Sequence, residues 1–331
     1  MKWTTDMRAL RFEKTGDLGL LAVVDVPKPV PQAHEVLVQV KAAGMNKSDT
    51  TNVLGLFPYT TLPRTPGRDF AGTVVQGPPG WEGRDVFGTG KEVGFTRDGS
   101  HAQFLCLPAD AVAIKPQALG FAQAAACGVP FVTAWHAVEN TGVAAGTRCV
   151  VMGAAGAVGM AAIQMARMRG AHVLAAVRQP AQAARLQAMG FETLLLSEGI
   201  DLGQAVRSHF PHGADMVLDT PGLWTAQAIG ALAPFGRLAT IVVPGDGQVT
   251  VSIRDLYRVG ASIVGVNSLL YSAAECAALL TRLAPAFDAG QLKVASELET
   301  PSLEDAPALY VALRKGRPGK LVFLPQPAIA A

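Results

Sequence analysis

The stretch Cys149-Val150-Val151-Met152-Gly153-Ala154-Ala155-Gly156-Ala157-Val158-Gly159-Met160 decides the fold. An apolar run delivers the chain to a turn built only of glycine and alanine, and a helix-compatible run comes next. The pattern predicts a dinucleotide-binding strand, turn and helix. Gly156 leaves space for a pyrophosphate against the backbone, and Gly159 lets the new helix lie close to its strand. Free amides and the positive dipole end at the helix N-terminus complement a phosphate without any basic side chain. Ala155, Gly156, Ala157, Val158 and Gly159 are therefore the candidate cofactor-contacting residues. Ala154 stands where the usual triplet has its first glycine, so the reading leans on the segments downstream of Met160.

Those segments are regular. Short apolar strands are expected at Arg148–Met152, His172–Val177, Thr193–Leu196, Ala214–Asp219, Leu238–Val243 and Ser262–Val266. Helices between them are expected over 157–169, 181–189, 201–209 and 223–231. Strands that alternate with helices in this way make a doubly wound parallel sheet, an α/β architecture. Val243, at the end of the expected strand Leu238–Val243, is a further candidate for cofactor contact. Before Phe121 the chain reads differently, as β-rich segments such as Glu35–Ala42, Asp69–Val75 and His101–Pro108. Residues 44–66 form the longest polar, proline-punctuated connection, where substrate contacts are expected. After Ser268 a helix is expected over 273–289, a short one opened by Ser302, and a last strand over Lys320–Leu324.

Composition narrows the function. The chain has 331 residues, half of them apolar and 16% charged, with a formal net charge of +2 and no basic run. That length favours two domains, and that charge pattern offers nothing to nucleic acid. Neither a secretion signal nor a membrane-length apolar run is read, so a cytoplasmic protein is expected. Cys106, Cys127, Cys149 and Cys276 are scattered without a Cys-x-x-Cys pair, which argues against disulfides and a thiolate zinc site.

The end of the second strand selects the cofactor, because an acidic residue there bonds a ribose 2′-hydroxyl and a basic one accepts a 2′-phosphate. Here Val177-Arg178-Gln179 supplies Arg178, nineteen residues after Gly159, and no Asp or Glu lies between His172 and Gly190. NADP(H) is the expected cofactor.

These residues and the order of segments resemble the zinc-independent quinone oxidoreductase branch of the medium-chain dehydrogenase/reductase superfamily. Ala154–Gly159 is similar to the family's glycine turn, Asn46-Lys47-Ser48-Asp49 to its Asn-x-x-Asp loop, and Pro66-Gly67-Arg68-Asp69-Phe70-Ala71-Gly72 to its Pro-Gly-x-(Asp/Glu)-x-Ala-Gly. Thr133-Ala134-Trp135, Asp219-Thr220 and Gly319-Lys320 match as well. The resemblance implies a GroES-like β-rich catalytic domain of residues 1–120 with 269–331, and a Rossmann nucleotide domain of residues 121–268. It implies Thr133, Asn267 and Lys320 as further cofactor contacts, and a homodimer. It puts Asn46 where zinc-dependent relatives have a cysteine ligand and Arg68 where they have histidine, and neither side chain replaces those ligands. No metal is therefore expected. The family's frequent lysine after the second strand falls near Gln182 and its tyrosine after the third near Ser197, which leaves the 2′-phosphate to Arg178.

Without a Lewis acid to hold an alkoxide, reduction of an electron-poor small molecule, a quinone or a conjugated enone or enal, is the expected chemistry. Donors near the acceptor oxygen stabilise the developing charge. Asn46 is the candidate for orientation and oxyanion contact, with Ser48 or Tyr59 as a proton route. Two other readings are open on the sequence: an enoyl-thioester reductase of the same fold, and an NADPH-binding structural or sensor protein with little turnover.

Overall fold

The computed structural model describes residues 6–242, 244–294 and 298–326. Contacts divide the chain into two compact units, one running to Val132 and resuming at Ser268, the other spanning Thr133–Asn267.

The first unit opens with an antiparallel hairpin of β1 (Asp6–Arg11) and β2 (Ala22–Pro27). Its main sheet is built on the long β3 (Glu35–Gly44), which pairs antiparallel with β4 (Asp69–Gln76) and also with β6 (Phe104–Pro108). From β4 the sheet continues to β5 (Asp85–Gly88) and β7 (Ala113–Ile114). Alternate residues Val36, Val38 and Val40 of β3 enter a core with Phe70, Val86, Leu105 and Leu107. That period of two is why this unit reads as β-rich.

Between β3 and β4 lies a helix that the sequence does not announce, α1 (Lys47–Val53). Its residues Lys47-Ser48-Asp49-Thr50-Thr51-Asn52 have no apolar period, so residues 44–66 read as a connection. The helix stands on polar bonds instead. The Asp49 carboxylate accepts the Asn46 backbone N–H at 2.7 Å, while the Asp49 N–H donates to the Asn46 carbonyl at 3.0 Å.

Next come α2 (Phe121–Ala125) and α3 (Gly128–Asn140). The division between units falls inside α3, twelve residues later than the boundary expected at Phe121. The reason is packing against the β3–β4 pair. A Cβ on Gly44 would lie 2.1 Å from the Ala125 carbonyl oxygen, and the Val129 N–H donates to Asp69 at 2.8 Å.

The second unit alternates β8 (Arg148–Met152), α4 (Ala157–Met168), β9 (His172–Val177), α5 (Pro180–Ala188), β10 (Glu192–Leu195), α6 (Leu202–Arg207), β11 (Ala214–Asp219), α7 (Thr225–Ala228), β12 (Leu232–Thr240), α8 (Ile253–Arg258) and β13 (Ser262–Gly265). All six strands are parallel, in the order β10-β9-β8-β11-β12-β13. The order reverses between β8 and β11, where ligands bind such sheets. Cys149–Met152 of β8 are fully buried, which explains why that strand reads as an unbroken apolar run.

The expected segments shift most around β12. It starts at Leu232 and ends at Thr240, so the expected strand Leu238–Val243 lies too late, and the helix expected over 223–231 shrinks to α7 and a 3-10 turn. Pro234 and Gly236 both lie within this strand. In the structure they flank Phe235, which has φ of +63° and donates its N–H to the Val259 carbonyl within a register irregularity. Helix α8 is likewise absent from the expected segments; the Ser252 hydroxyl caps it by accepting the Asp255 N–H at 3.3 Å.

The chain then returns to the first unit with α9 (Ala273–Asp288), α10 (Ala306–Arg314) and β14 (Val322–Phe323), the last antiparallel to β3. Ser272 and Glu275 cap α9 reciprocally. From Ser302 a 3-10 turn leads into α10.

Candidate active site

The carboxyl end of β3 meets the start of β4 and the chain before β14, and this register puts Asn46, Asp69 and Lys320 side by side. The Asn46 amide nitrogen donates to Asp69 Oδ2 at 2.9 Å, and its amide oxygen accepts from Lys320 Nζ at 2.8 Å. These two bonds fix which way the amide points. Lys320 also donates to the Met45 carbonyl at 3.0 Å and lies 3.7 Å from Asp69 Oδ2. Burial lowers the Lys320 pKa, opposed by the charges of Asp69 and Asp49.

Asp49 sits beneath this network. It is fully buried, and burial pushes its carboxyl up to about 7, against the hydrogen bond from Asn46. Its Oδ1 and the neighbouring Ser48 Oγ have no hydrogen-bond partner among the described residues. The first unit thus holds a carboxyl group able to gain or lose a proton near neutrality, within one residue of a free hydroxyl.

Arg68 is 1% exposed and bonds to three oxygens, the Gly90 carbonyl at 3.2 Å, Ser268 Oγ at 3.2 Å and the Ser268 carbonyl at 3.4 Å. It carries a fixed charge near Asp69, Asp49 and Tyr59, and burial lowers its pKa. The turn before it is braced from below. The Ser100 and His101 N–H groups donate to the Gly67 and Pro66 carbonyls, and Gly67, at φ of +98°, lies so near the His101 ring that a Cβ would be 2.4 Å from it. His101 itself bonds Tyr310 through Nδ1 at 2.8 Å, and burial lowers its pKa to about 3, so the ring is neutral.

Tyr59, 41% exposed, stands apart from Asn46 in an aromatic cluster with Phe57 and Phe95. Burial raises its pKa and the Arg68 charge opposes the rise. The structure therefore joins Asn46 directly to Lys320 but bonds neither Ser48 nor Tyr59 to Asn46. Of the two side-chain partners of Asn46, Lys320 is among the residues the resemblance implies and Asp69 is a site residue that sequence reasoning misses; its sequence signal is the Pro-Gly-x-Asp pattern that contains it.

In the second unit, Gly156 caps α4 with φ of −76°, and a Cβ there would meet only the Gly153 oxygen, at 3.3 Å. At Gly159 a Cβ would lie 2.3 Å from that oxygen and 2.8 Å from the Ala154 Cα. The two glycines differ: a Cβ is nearly free of contacts at Gly156, whereas at Gly159 its absence allows helix and turn to touch. Ala155 sits between them and the strand, with its carbonyl accepting from Arg185 at 3.4 Å, and Ala157 and Val158 open the helix. These features fit a dinucleotide pyrophosphate. Asp219 secures the adjacent β11 loop, its carboxylate accepting from Gly222 N, Trp224 N and Thr225 Oγ1 at 2.8–3.0 Å.

Arg178 comes directly after β9 and lines a hollow of about 460 Å³ with Leu196, Ser197, Glu198, Leu223 and Trp224. Thr133 is 5% exposed on α3, and Asn267 is the last residue of the second unit. Val243 lies outside the described residues.

Two family models match the chain, the alcohol dehydrogenase GroES-like domain over residues 32–117 and the zinc-binding dehydrogenase over residues 157–284. A zinc-type alcohol dehydrogenase-like protein of Schizosaccharomyces pombe is 37% identical over 87% of this chain and 86% of its own. The Homo sapiens quinone oxidoreductase is 30% identical over 96% of this chain and 98% of its own. Among solved structures, a mycobacterial quinone oxidoreductase superposes with a TM-score of 0.81 at 25% identity, over 96% of this chain and 100% of that one. With its GroES-like sheet, its parallel nucleotide-binding sheet and these relatives, the chain belongs to the quinone oxidoreductase branch of the medium-chain dehydrogenase/reductase superfamily, whose members bind a nicotinamide cofactor.

Proposed function

We propose that this protein is a zinc-independent, NADPH-dependent oxidoreductase that reduces a quinone or a conjugated enone or enal. The observation that carries the reading is the Asn46–Lys320–Asp69 network in the place of a metal site. A catalytic zinc needs thiolate, neutral imidazole or carboxylate ligands. Here the Asn46 oxygen is already bonded to Lys320, and Arg68 offers donors and no lone pair. The donor set does not fit zinc.

When bound, the reduced nicotinamide supplies the hydride; the chain supplies everything else. The amides at the start of α4, around the open face of Gly156, hold the pyrophosphate, and Arg178 holds the 2′-phosphate. Asn46 has a second amide hydrogen beyond the one given to Asp69, and this donor orients the acceptor oxygen and meets its growing negative charge. Lys320 and Asp69 lock the amide in the donating orientation. Ser48 and Tyr59 are the routes for the proton that completes reduction. Thr133 and Asn267 contribute to the nicotinamide side of the binding site. We further propose a cytoplasmic homodimer.

The test is cofactor consumption by purified protein, with NADPH and NADH each offered a para-quinone, an enone, an enal and an enoyl-CoA ester, with and without chelator. The reading predicts turnover of the quinone or enone with NADPH that survives chelation. Preference for the enoyl-CoA ester would make the protein a thioester reductase, and no turnover with any acceptor would leave a cofactor-binding sensor.

A further inference from the structure

The hollow beside Arg178 holds a second charge that the window His172–Gly190 could not reveal. It is lined by residues that follow three of the parallel strands: Arg178 after β9, Leu196 to Ile200 after the neighbouring β10, and Leu223, Trp224 and Gln227 after β11. Ile200, Leu223 and Trp224 offer apolar faces for a flat base. Glu198 and Arg178 both line it, and no ion pair within 4.0 Å joins them, so neither cancels the other by contact. Both are exposed, and neither has a hydrogen-bond partner among the described residues.

We infer that Glu198 is a specificity-determining residue that opposes Arg178 in this hollow, so that the protein uses NADH as well as NADPH. The inference rests on the reading of the hollow as the adenosine site. A carboxylate only accepts hydrogen bonds when ionised. Facing a ribose with free hydroxyls it gains a donor, and facing a 2′-phosphate it meets like charge. Arg178 has the reverse preference. Sequence-distant residues on neighbouring strand ends thus set one ratio, and the arginine alone overstates the NADPH bias.

The test is direct titration of the purified protein with NADPH, NADH and the fragments 2′,5′-ADP and 5′-AMP, at low and high salt, for the wild type, Glu198→Gln and Arg178→Ala. Charge effects at an exposed site are modest and screened, so Glu198→Gln should tighten NADPH and 2′,5′-ADP by about three- to tenfold at low salt and less at high salt. It should weaken NADH by about twofold or more, through loss of the charge-assisted bond. Arg178→Ala should move the ratio the other way. If Arg178→Ala weakens NADPH while Glu198→Gln leaves the NADPH/NADH ratio unchanged, the role of Glu198 is overturned and the adenosine site stands. If neither variant changes any of the four ligands, the hollow is not the adenosine site and the inference falls with it.

Discussion

At the scale of single residues, Asn46 is held more firmly than its sequence position implies. Both ends of its amide are bonded, to Asp69 and to Lys320. Asn46→Ala should therefore lower single-turnover hydride transfer by about tenfold or more and also destabilise the fold by about 1–3 kcal/mol, because Asp69 loses a donor and Lys320 an acceptor in a buried setting. A variant that melts normally and transfers hydride at the wild-type rate would remove Asn46 from both roles. Asp49 gives a pH prediction with a definite sign. Its carboxyl is raised from 3.8 to about 7, so between those values the folded protein keeps a proton that the unfolded chain releases. Its contribution to stability then worsens as pH rises through that window. Asp49→Asn cannot ionise and keeps an oxygen for the Asn46 N–H, so its melting temperature relative to wild type should climb from pH 5 to pH 8. A difference that stays flat with pH would show that Asp49 is ionised throughout. Asn46 is legible from the Asn-x-x-Asp pattern; its bond to Lys320 is not, since 274 residues separate the two.

At the scale of elements, the β8–α4 turn is the most legible part of the chain, because its small residues answer a local steric demand. The two glycines yield distinguishable outcomes. Gly156→Ala puts its Cβ in nearly open space at an ordinary φ, so the variant should melt within about 2 °C of wild type and yet bind both nicotinamide cofactors about tenfold more weakly. Gly159→Ala meets backbone at 2.3 Å and should lose stability together with cofactor affinity. Equal cofactor affinity in Gly156→Ala and wild type, by fluorescence titration, would mean that the pyrophosphate does not pass that face. Helix α1 and strand β12 are poorly legible for opposite reasons. The first stands on buried polar bonds where a helix pattern needs apolar ones, and the second carries Pro234, Phe235 at positive φ and Gly236 inside a strand. In both, tertiary contacts override local preference.

At the scale of the whole molecule, the parallel sheet ends at β13, whose outer edge has no partner strand among the described residues. Ile263 on this edge strand is exposed, as are Ile253 and Tyr257 on the α8 helix that precedes it in the chain. An open apolar edge invites pairing, and a symmetry mate covers it without leaving new edges. Ile263→Lys should then shift a solution-scattering mass from dimer toward monomer while cofactor affinity is kept. A wild-type monomer at micromolar concentration would contradict the dimer.

The alternation of strands and helices in the second unit arises from patterns with short range, whereas the Asn46–Asp69–Lys320 cluster draws on the β3 end, the β4 start and the chain before β14, which only the folded sheet unites. Direct reduction of an electron-poor acceptor without zinc is the proposed chemistry. It is tested by single-turnover reduction of an enone by NADPH carrying deuterium at the transferred C4 position, using chelator-treated protein with its metal content measured. Deuterium is expected on the β-carbon of the product, with the same rate before and after chelation. Stoichiometric zinc whose removal abolishes the transfer, or a product free of deuterium, would contradict it.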